Sequence, residues 1–205
     1  MAVVTVSRQY GAGGRRVALA IAEALGFRLV DREVAEEAAR RLGLDPEVAR
    51  AMDERAPAIV EEIGMALAAA APGYGLAPMP DLDERALAEA TRRVIVSLAE
   101  AGNYVILGRG AQAALADRTD AFHLSLVADP RDRVHRIAEW QNVEEKEAAV
   151  RSERADSERA HYVRRFYGRD IRDPLLYDCV LNTSRLSIDA AAAIASAAAK
   201  RKLGL

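Results

Sequence analysis

Residues 3–18 read VVTVSRQYGAGGRRVA, a β-branched run that breaks into a glycine-rich turn and then opens, with no linker, into a helical pattern. No other segment constrains the fold as tightly. Glycines let a backbone approach a ligand closely and aim successive N–H groups at it, and the N-terminus of the following helix adds partial positive charge. This is the geometry of a phosphate site, and Arg8, Arg15 and Arg16 surround it with full charges. The alternative is a plain structural turn between strand and helix.

Beyond this unit, short apolar runs alternate with long helical patterns, the signature of an α/β chain built on a parallel sheet. Five strands are expected, at 2–6, 28–30, 104–107, 122–127 and 177–181, most of them continuously apolar as strands covered on both faces should be. The first helix is expected over 14–25, stopped by Gly26 in a left-handed cap. Asp31 is placed to cap the next helix. Between Arg32 and Gly102 only helical segments are expected, broken at Asp45-Pro46, at Pro57 and across a Pro/Gly-rich loop from Pro72 to Pro80. From Pro130 to Phe166 the chain is helical and rich in arginine, and a last helix runs from Ser187 to about Arg201 behind a capping serine.

Length and charge narrow the classes. At 205 residues the chain suits one domain with one sizeable core, and 29 basic against 31 acidic residues leave a net charge of −2. No global positive field is available to hold nucleic acid or an anionic membrane. The single cysteine, Cys179, cannot form an internal disulfide, and His123, His135 and His161 stand at no zinc-ligand spacing. The alanine runs are too short to span a bilayer and the N-terminus has no signal-peptide pattern, so a cytoplasmic protein is expected.

The glycine loop meets neither of two familiar motifs in full. In G-x-x-x-x-G-K-[ST], taking Gly13 as the last glycine puts Gly14 where lysine belongs; taking Gly14 puts Arg15 there and Arg16 in place of the hydroxyl. A dinucleotide site would use Gly11-x-Gly13 with Asp31, 20 residues after Gly11, on the ribose, but Arg16 occupies the third glycine and would obstruct helix packing.

Five segments in order, VVTVSRQYGAGGRRVALAIAEALGFRLVD, VILGRGAQAAL, FHLSLVADPRDRVHRIAEWQ, ERADSERA and YDCVLNTSRLSIDAA, resemble the bacterial cytidylate kinases and above all their divergent relatives, the cytidylate-kinase-like family. The resemblance covers nearly the whole chain and is weakest in the helical insertion. It implies a three-layer P-loop NTPase-like α/β fold: a five-stranded parallel sheet flanked by helices, a helical acceptor-binding insertion and an arginine-rich helical lid. Within one domain, the core would comprise 1–31, 103–130 and 171–205, the insertion 32–102 and the lid 131–170.

The resemblance also implies an ATP-dependent nucleoside monophosphate kinase acting on CMP or dCMP with Mg2+, its partners being small nucleotides. Ser7, Arg8, Gly11, Ala12, Gly13, Gly14, Arg15 and Arg16 would hold ATP phosphates, with Asn182 and Thr183 near the adenine. Asp31, Arg109, Arg154 and Glu158 would bind the acceptor, and Arg15, Arg16, Arg154 and Arg159 would be the catalytic cations. Arg109 matches the arginine of the family's D-G-R-D motif, while Leu107 and Gly110 replace its two aspartates. In the lid, Glu158 stands for an aspartate and His161 for an arginine. Arg151, Arg154, Glu158, His161 and Arg165 would share one face of a continuous helix. Two other functions stay open: a nucleotide-binding sensor or partner-binding module with weakened catalysis, and a kinase for another small phosphate acceptor. A dinucleotide-dependent oxidoreductase is the remotest.

Overall fold

The computed structural model describes residues 1–31, 33–41, 43 and 84–205. The expected breaks at Asp45-Pro46 and Pro57 and the Pro72 to Pro80 loop lie outside the described residues. Contacts divide the chain into two units, Met1–Asp31 with Ile95–Leu205, and Arg32–Val94. In the smaller unit, helix α2 (Glu33–Arg41) buries Val34, Ala35 and Ala38, and the first part of α3 (Glu84–Ala101) buries Ala88, Ala90 and Val94. Both carry ion pairs at helical spacing, Glu37 with Arg40 and Arg41 and Glu89 with Arg92 and Arg93.

The larger unit holds β1 (Val3–Arg8), α1 (Gly14–Leu25), β2 (Arg28–Val30), β3 (Tyr104–Leu107), α4 (Ala111–Ala114), β4 (Ala121–Val127), α5 (Pro130–Gln141), α6 (Glu145–Tyr167), β5 (Cys179–Asn182) and α7 (Ile188–Leu203). All five strands run parallel in the order β2-β3-β1-β4-β5. From β1 the chain goes on to β2 on one side of the sheet, and from β4 to β5 on the other. The two crossovers therefore part at the carboxyl ends of β1 and β4, the place where open α/β sheets bind ligands.

One face of the sheet is apolar. Val4 and Val6 of β1, Val105 and Leu107 of β3 and Phe122, Leu124 and Leu126 of β4 pack against Val17 and Ile21 of α1 and the alanines 191, 195 and 199 of α7. Each larger side chain buried there contributes about 1.5–3 kcal/mol. The opposite face departs from the continuously apolar expectation: Thr5 and Ser7 pair in register with His123 and Ser125, and all four are buried. Thr5 Oγ1 lies 2.7 Å from His123 Nδ1, which is how this polar line tolerates burial.

Helix α1 starts and stops as expected, with Gly26 in the left-handed region at φ 67°. Two strand boundaries differ by two residues, and others by one. β1 extends to Arg8, and β5 begins at Cys179 rather than 177, because Asp173 caps a single 3-10 turn over Pro174–Leu176 and the Tyr177 hydroxyl is tied down by donating to Ile171 O at 2.7 Å. Asp178 thus lies before β5, where its carboxylate accepts from His123 N and Lys202. The arginine-rich region is two helices, separated where Asn142 adopts φ 52°. Among the described residues no helix is long and apolar enough to cross a membrane.

Candidate functional site

The turn between β1 and α1 is closed by one internal hydrogen bond and held by others that lead outward. Ala12 N donates to Gln9 O, closing a tight turn. Tyr10 O then accepts from Arg133 Nη1 at 3.2 Å, Gly11 O from Arg136 Nη1 at 3.4 Å, and Ala12 O from Thr183 Oγ1 at 3.1 Å. A trans peptide points its C=O and N–H in opposite directions, so the Gly11 and Gly13 amides face away from Arg133 and Thr183. Among the described residues neither amide meets an acceptor. They stand beside the start of α1, whose N-cap Gly13 offers no side chain and whose first turn holds no acid. Backbone donors and a helix N-terminus at one concavity are the features that favour an anion.

Two glycines are demanded by this packing. Gly11 has φ 83°, and a Cβ there would lie 2.8 Å from Arg133 O, backbone against backbone. Gly13 has φ 77°, and a Cβ would lie 2.3 Å from Ile188 Cδ1 at the start of α7. Any side chain at Gly11 would force the loop off α5.

The cations expected around the loop separate. Arg15 is 72% exposed and reaches Asp31 at 3.2 Å, and Arg16 is also exposed. Arg8 instead turns inward: its side-chain stem passes Gly14 and its guanidinium lies over Gly108. Ser7 is buried, its hydroxyl donating at 3.3 Å to the Tyr177 oxygen, whose own hydrogen goes to Ile171 O. Burial raises the Tyr177 pKa, so this hydroxyl stays a donor.

Arg109 follows β3 in a run of three left-handed residues, Gly108 at φ 80°, Arg109 at 60° and Gly110 at 66°. A non-glycine residue held there stores strain, a mark of functional turns. The aromatic end of α6 covers the turn, for a Cβ on Gly110 would fall 2.7 Å from Tyr167 Cε2 and 3.4 Å from Tyr162 Cε1.

Helix α6 reaches the glycine loop by a face that sequence periodicity did not single out. Asp156 Oδ1 accepts from Tyr10 N at 2.8 Å while Oδ2 binds Arg133 Nη1, which also donates to Ser152 Oγ at 2.9 Å. Arg159 Nη1 donates to Arg8 O at 3.4 Å, and its guanidinium lies 5.4 Å from the Tyr10 ring centroid. The inward stripe is therefore Ser152, Asp156, Arg159 and Val163. Arg151, Arg154, His161 and Arg165 of the expected stripe are exposed, and Arg154 is paired with Glu158 at 2.7 Å. Arg159 is brought to the loop and Arg154 is not.

Asp156, Arg133 and Arg136 are the residues that sequence reasoning did not select. The available signal was the interruption of the arginine-rich helix by Ala148, Ser152 and Val163, the small and apolar residues of its buried side. Thr183 is also placed unexpectedly: it is buried, accepts from Arg136 and donates to the loop. Asn182 is exposed and accepts from Ser184 N at 2.9 Å.

Beside the loop, between β1, β4, β5 and α6, lies a cleft of about 710 Å3 lined in part by Gln9, Ser125, Arg133, Asp156, Arg159 and Tyr177. The loop's open amides and inward cation fit the phosphates of ATP. Magnesium finds less: among the described residues no three His, Cys, Asp or Glu side chains cluster to hold a metal, and arginines follow the loop where the motif has a hydroxyl. Among the described residues the loop offers this ion no ligand set of its own.

A model of the cytidylate kinase-like family matches residues 3–185. Among solved structures, an uncharacterized protein from Eubacterium ventriosum is similar at TM-score 0.69 and 19% identity, with 95% of each chain covered. Shikimate kinase from Bacteroides thetaiotaomicron is similar at TM-score 0.52 and 16% identity, covering 100% of this chain and 99% of that one. A Thermus thermophilus protein, TT1252, is similar at TM-score 0.52 and 17% identity over 97% of both chains. No curated protein matches significantly. The fold is that of the P-loop kinases.

Proposed function

This chain belongs to the cytidylate kinase-like family, and on that premise we propose that it transfers the γ-phosphoryl group of ATP to a nucleoside monophosphate, CMP or dCMP. The observation that carries the reading is the loop itself, whose carbonyls are drawn outward by Arg133, Arg136 and Thr183 so that the Gly11 and Gly13 amides are left for an anion. Donors fixed before the substrate arrives cost no reorganisation during reaction.

In the transfer, an acceptor phosphate oxygen attacks the γ-phosphorus, and the bond from that phosphorus to the β–γ bridging oxygen breaks. ADP leaves with the electron pair. The attacking oxygen already carries negative charge at neutral pH, so no general base is required. What remains is alignment and charge, the main tasks in phosphoryl transfer. The loop from Ser7 to Arg16 binds the donor phosphates, and Arg109, on its strained turn, binds the acceptor phosphate with Asp31 at the mouth of its site. Arg15, Arg16, Arg154 and Arg159 supply positive charge, the exposed ones by swinging inward when nucleotides bind. Asn182 lies near the adenine, with Thr183 acting through the loop. Mg2+, if carried in on ATP, would supply charge neutralisation at the phosphates, and none of these residue roles is routed through it.

The missing loop lysine and hydroxyl favour a second reading, a nucleotide-binding sensor or partner-binding module without efficient transfer. The same experiment tests both. Labelled ATP with magnesium is offered with CMP, dCMP, UMP, AMP and GMP, and with shikimate as a non-nucleotide acceptor, while ATP binding is followed by calorimetry. Transfer to CMP or dCMP is expected. Transfer to a different acceptor would reassign the substrate, and binding without transfer would establish the sensor.

A further inference from the structure

Read against G-x-x-x-x-G-K, residues 8–14 are Arg-Gln-Tyr-Gly-Ala-Gly-Gly: arginine stands at the first glycine and glycine at the lysine. We infer that the two positions have exchanged roles, so that Arg8 brings to the transferred phosphate the positive charge that the motif takes from its lysine. The inference rests on the phosphoryl transfer proposed above.

Arg8 is the last residue of β1 and follows Val4 and Val6 on the face covered by α1. Its side chain therefore leaves the sheet toward the start of α1. A Cβ built on Gly14 would lie 2.5 Å from Arg8 Cγ and 2.9 Å from Arg8 Cβ. That conflict is at the root of the arginine, where no movement of its far end relieves it. Gly14 is thus the residue that the path of Arg8 requires, although its own backbone is ordinary helix.

At the other end the contact is with the movable tip of the arginine, and it marks where the guanidinium rests. A Cβ on Gly108 would fall 2.1 Å from Arg8 Nη1 and 3.2 Å from Cζ. The guanidinium consequently sits between the phosphate loop and the left-handed turn that carries Arg109. In the proposed reaction this is where donor and acceptor phosphates meet. A planar guanidinium can bind two phosphate oxygens at once, which a lysine ammonium cannot match in shape. The backbone beneath is anchored independently, by Arg159 on Arg8 O at 3.4 Å.

The relation makes a reciprocal test. Arg8→Ala, Gly14→Lys and the double variant R8G/G14K, which restores glycine and lysine to the motif, are compared with the wild type for kcat and ATP affinity, with unfolding midpoints recorded. Arg8→Ala is expected to lower kcat by about 100-fold or more, and free guanidinium added to that variant should recover part of the loss. Gly14→Lys alone should also fail, because its side chain meets the arginine stem. The double variant should return to within about tenfold of wild type.

Unchanged kcat in Arg8→Ala would overturn the inference, as would a folded double variant no better than Gly14→Lys. If the double variant does not fold, guanidinium rescue of Arg8→Ala decides: recovery supports the role and its absence overturns it. If the wild type binds ATP yet transfers to no acceptor, the proposed function falls instead, and ATP binding decides the inference. A tenfold weaker affinity in Arg8→Ala then upholds it and an equal affinity overturns it.

Discussion

The carboxylate of Asp156 holds the amide of Tyr10 at 2.8 Å, joining the middle of α6 to the glycine loop through one side chain. Its second oxygen binds Arg133, whose side chain is only 11% exposed. Removing one partner of such a pair strands the other's charge.

Asp156→Ala is therefore expected to lower stability by about 3 kcal/mol, and Asp156→Asn by less, since the amide oxygen still accepts from Tyr10. Urea unfolding of both variants measures the difference. Equal stability of wild type and Asp156→Ala would show that other contacts hold α6 to the loop.

At Arg109 the backbone works against stability. Replacing it with glycine relieves the left-handed conformation at φ 60°, a backbone gain of about 0.5–1 kcal/mol after the entropy cost of glycine that offsets the contacts its side chain makes. Thermal unfolding is expected within a few degrees of wild type, with acceptor use lost and ATP binding retained. A variant both less stable and fully active would refute the assignment.

The exposed pair of Arg154 with Glu158, at 48% and 37% exposure, stabilises little. Arg154→Ala should stay within about 0.5 kcal/mol of wild type. Any fall in phosphoryl transfer can then be ascribed to nucleotide contact, and unchanged transfer would remove Arg154 from the catalytic set.

His123 gives the fold a pH response. Burial holds its pKa below the ordinary value, with Lys202 pushing in the same direction and Asp178 opposing them. The unfolded chain takes up a proton near pH 6.5 while the folded one resists it until lower pH, so stability is fully present above about pH 6.5 and declines as pH falls through the folded-state value. Denaturation between about pH 7.5 and about pH 5.5 should show this decline in wild type and a shallower one in His123→Gln. Parallel profiles would assign the acid sensitivity to other groups.

The sequence made the first helix and its stop legible because glycine and periodicity speak locally: α1 spans Gly14–Leu25 and ends at Gly26. The glycine-rich turn was legible for the same reason, since three glycines stand where the strand gives way to the helix. What stayed hidden depends on partners far along the chain. Asp156 is one acid among many in a charged helix, and only the docking of α6 singles it out. Arg8 and Gly14 look unrelated in the sequence until the strand directs one side chain across the other's missing Cβ. The β5 boundary shifted because Tyr177 is held by its hydroxyl, a contact that residue type does not announce.

The anchors of the phosphate loop also set a schedule. Its carbonyls are held by residues 123, 125 and 171 positions downstream, and β1, the central strand, pairs only with β3 and β4. During synthesis at about 5–20 residues per second, the N-terminal segment waits for its partners over seconds to tens of seconds. An N-terminal fragment ending before α5 would carry every glycine of the loop and yet lack the means to orient their amides. On the proposed function, the anion site is thus among the last features of the chain to become competent, and truncated products would be silent toward nucleotide.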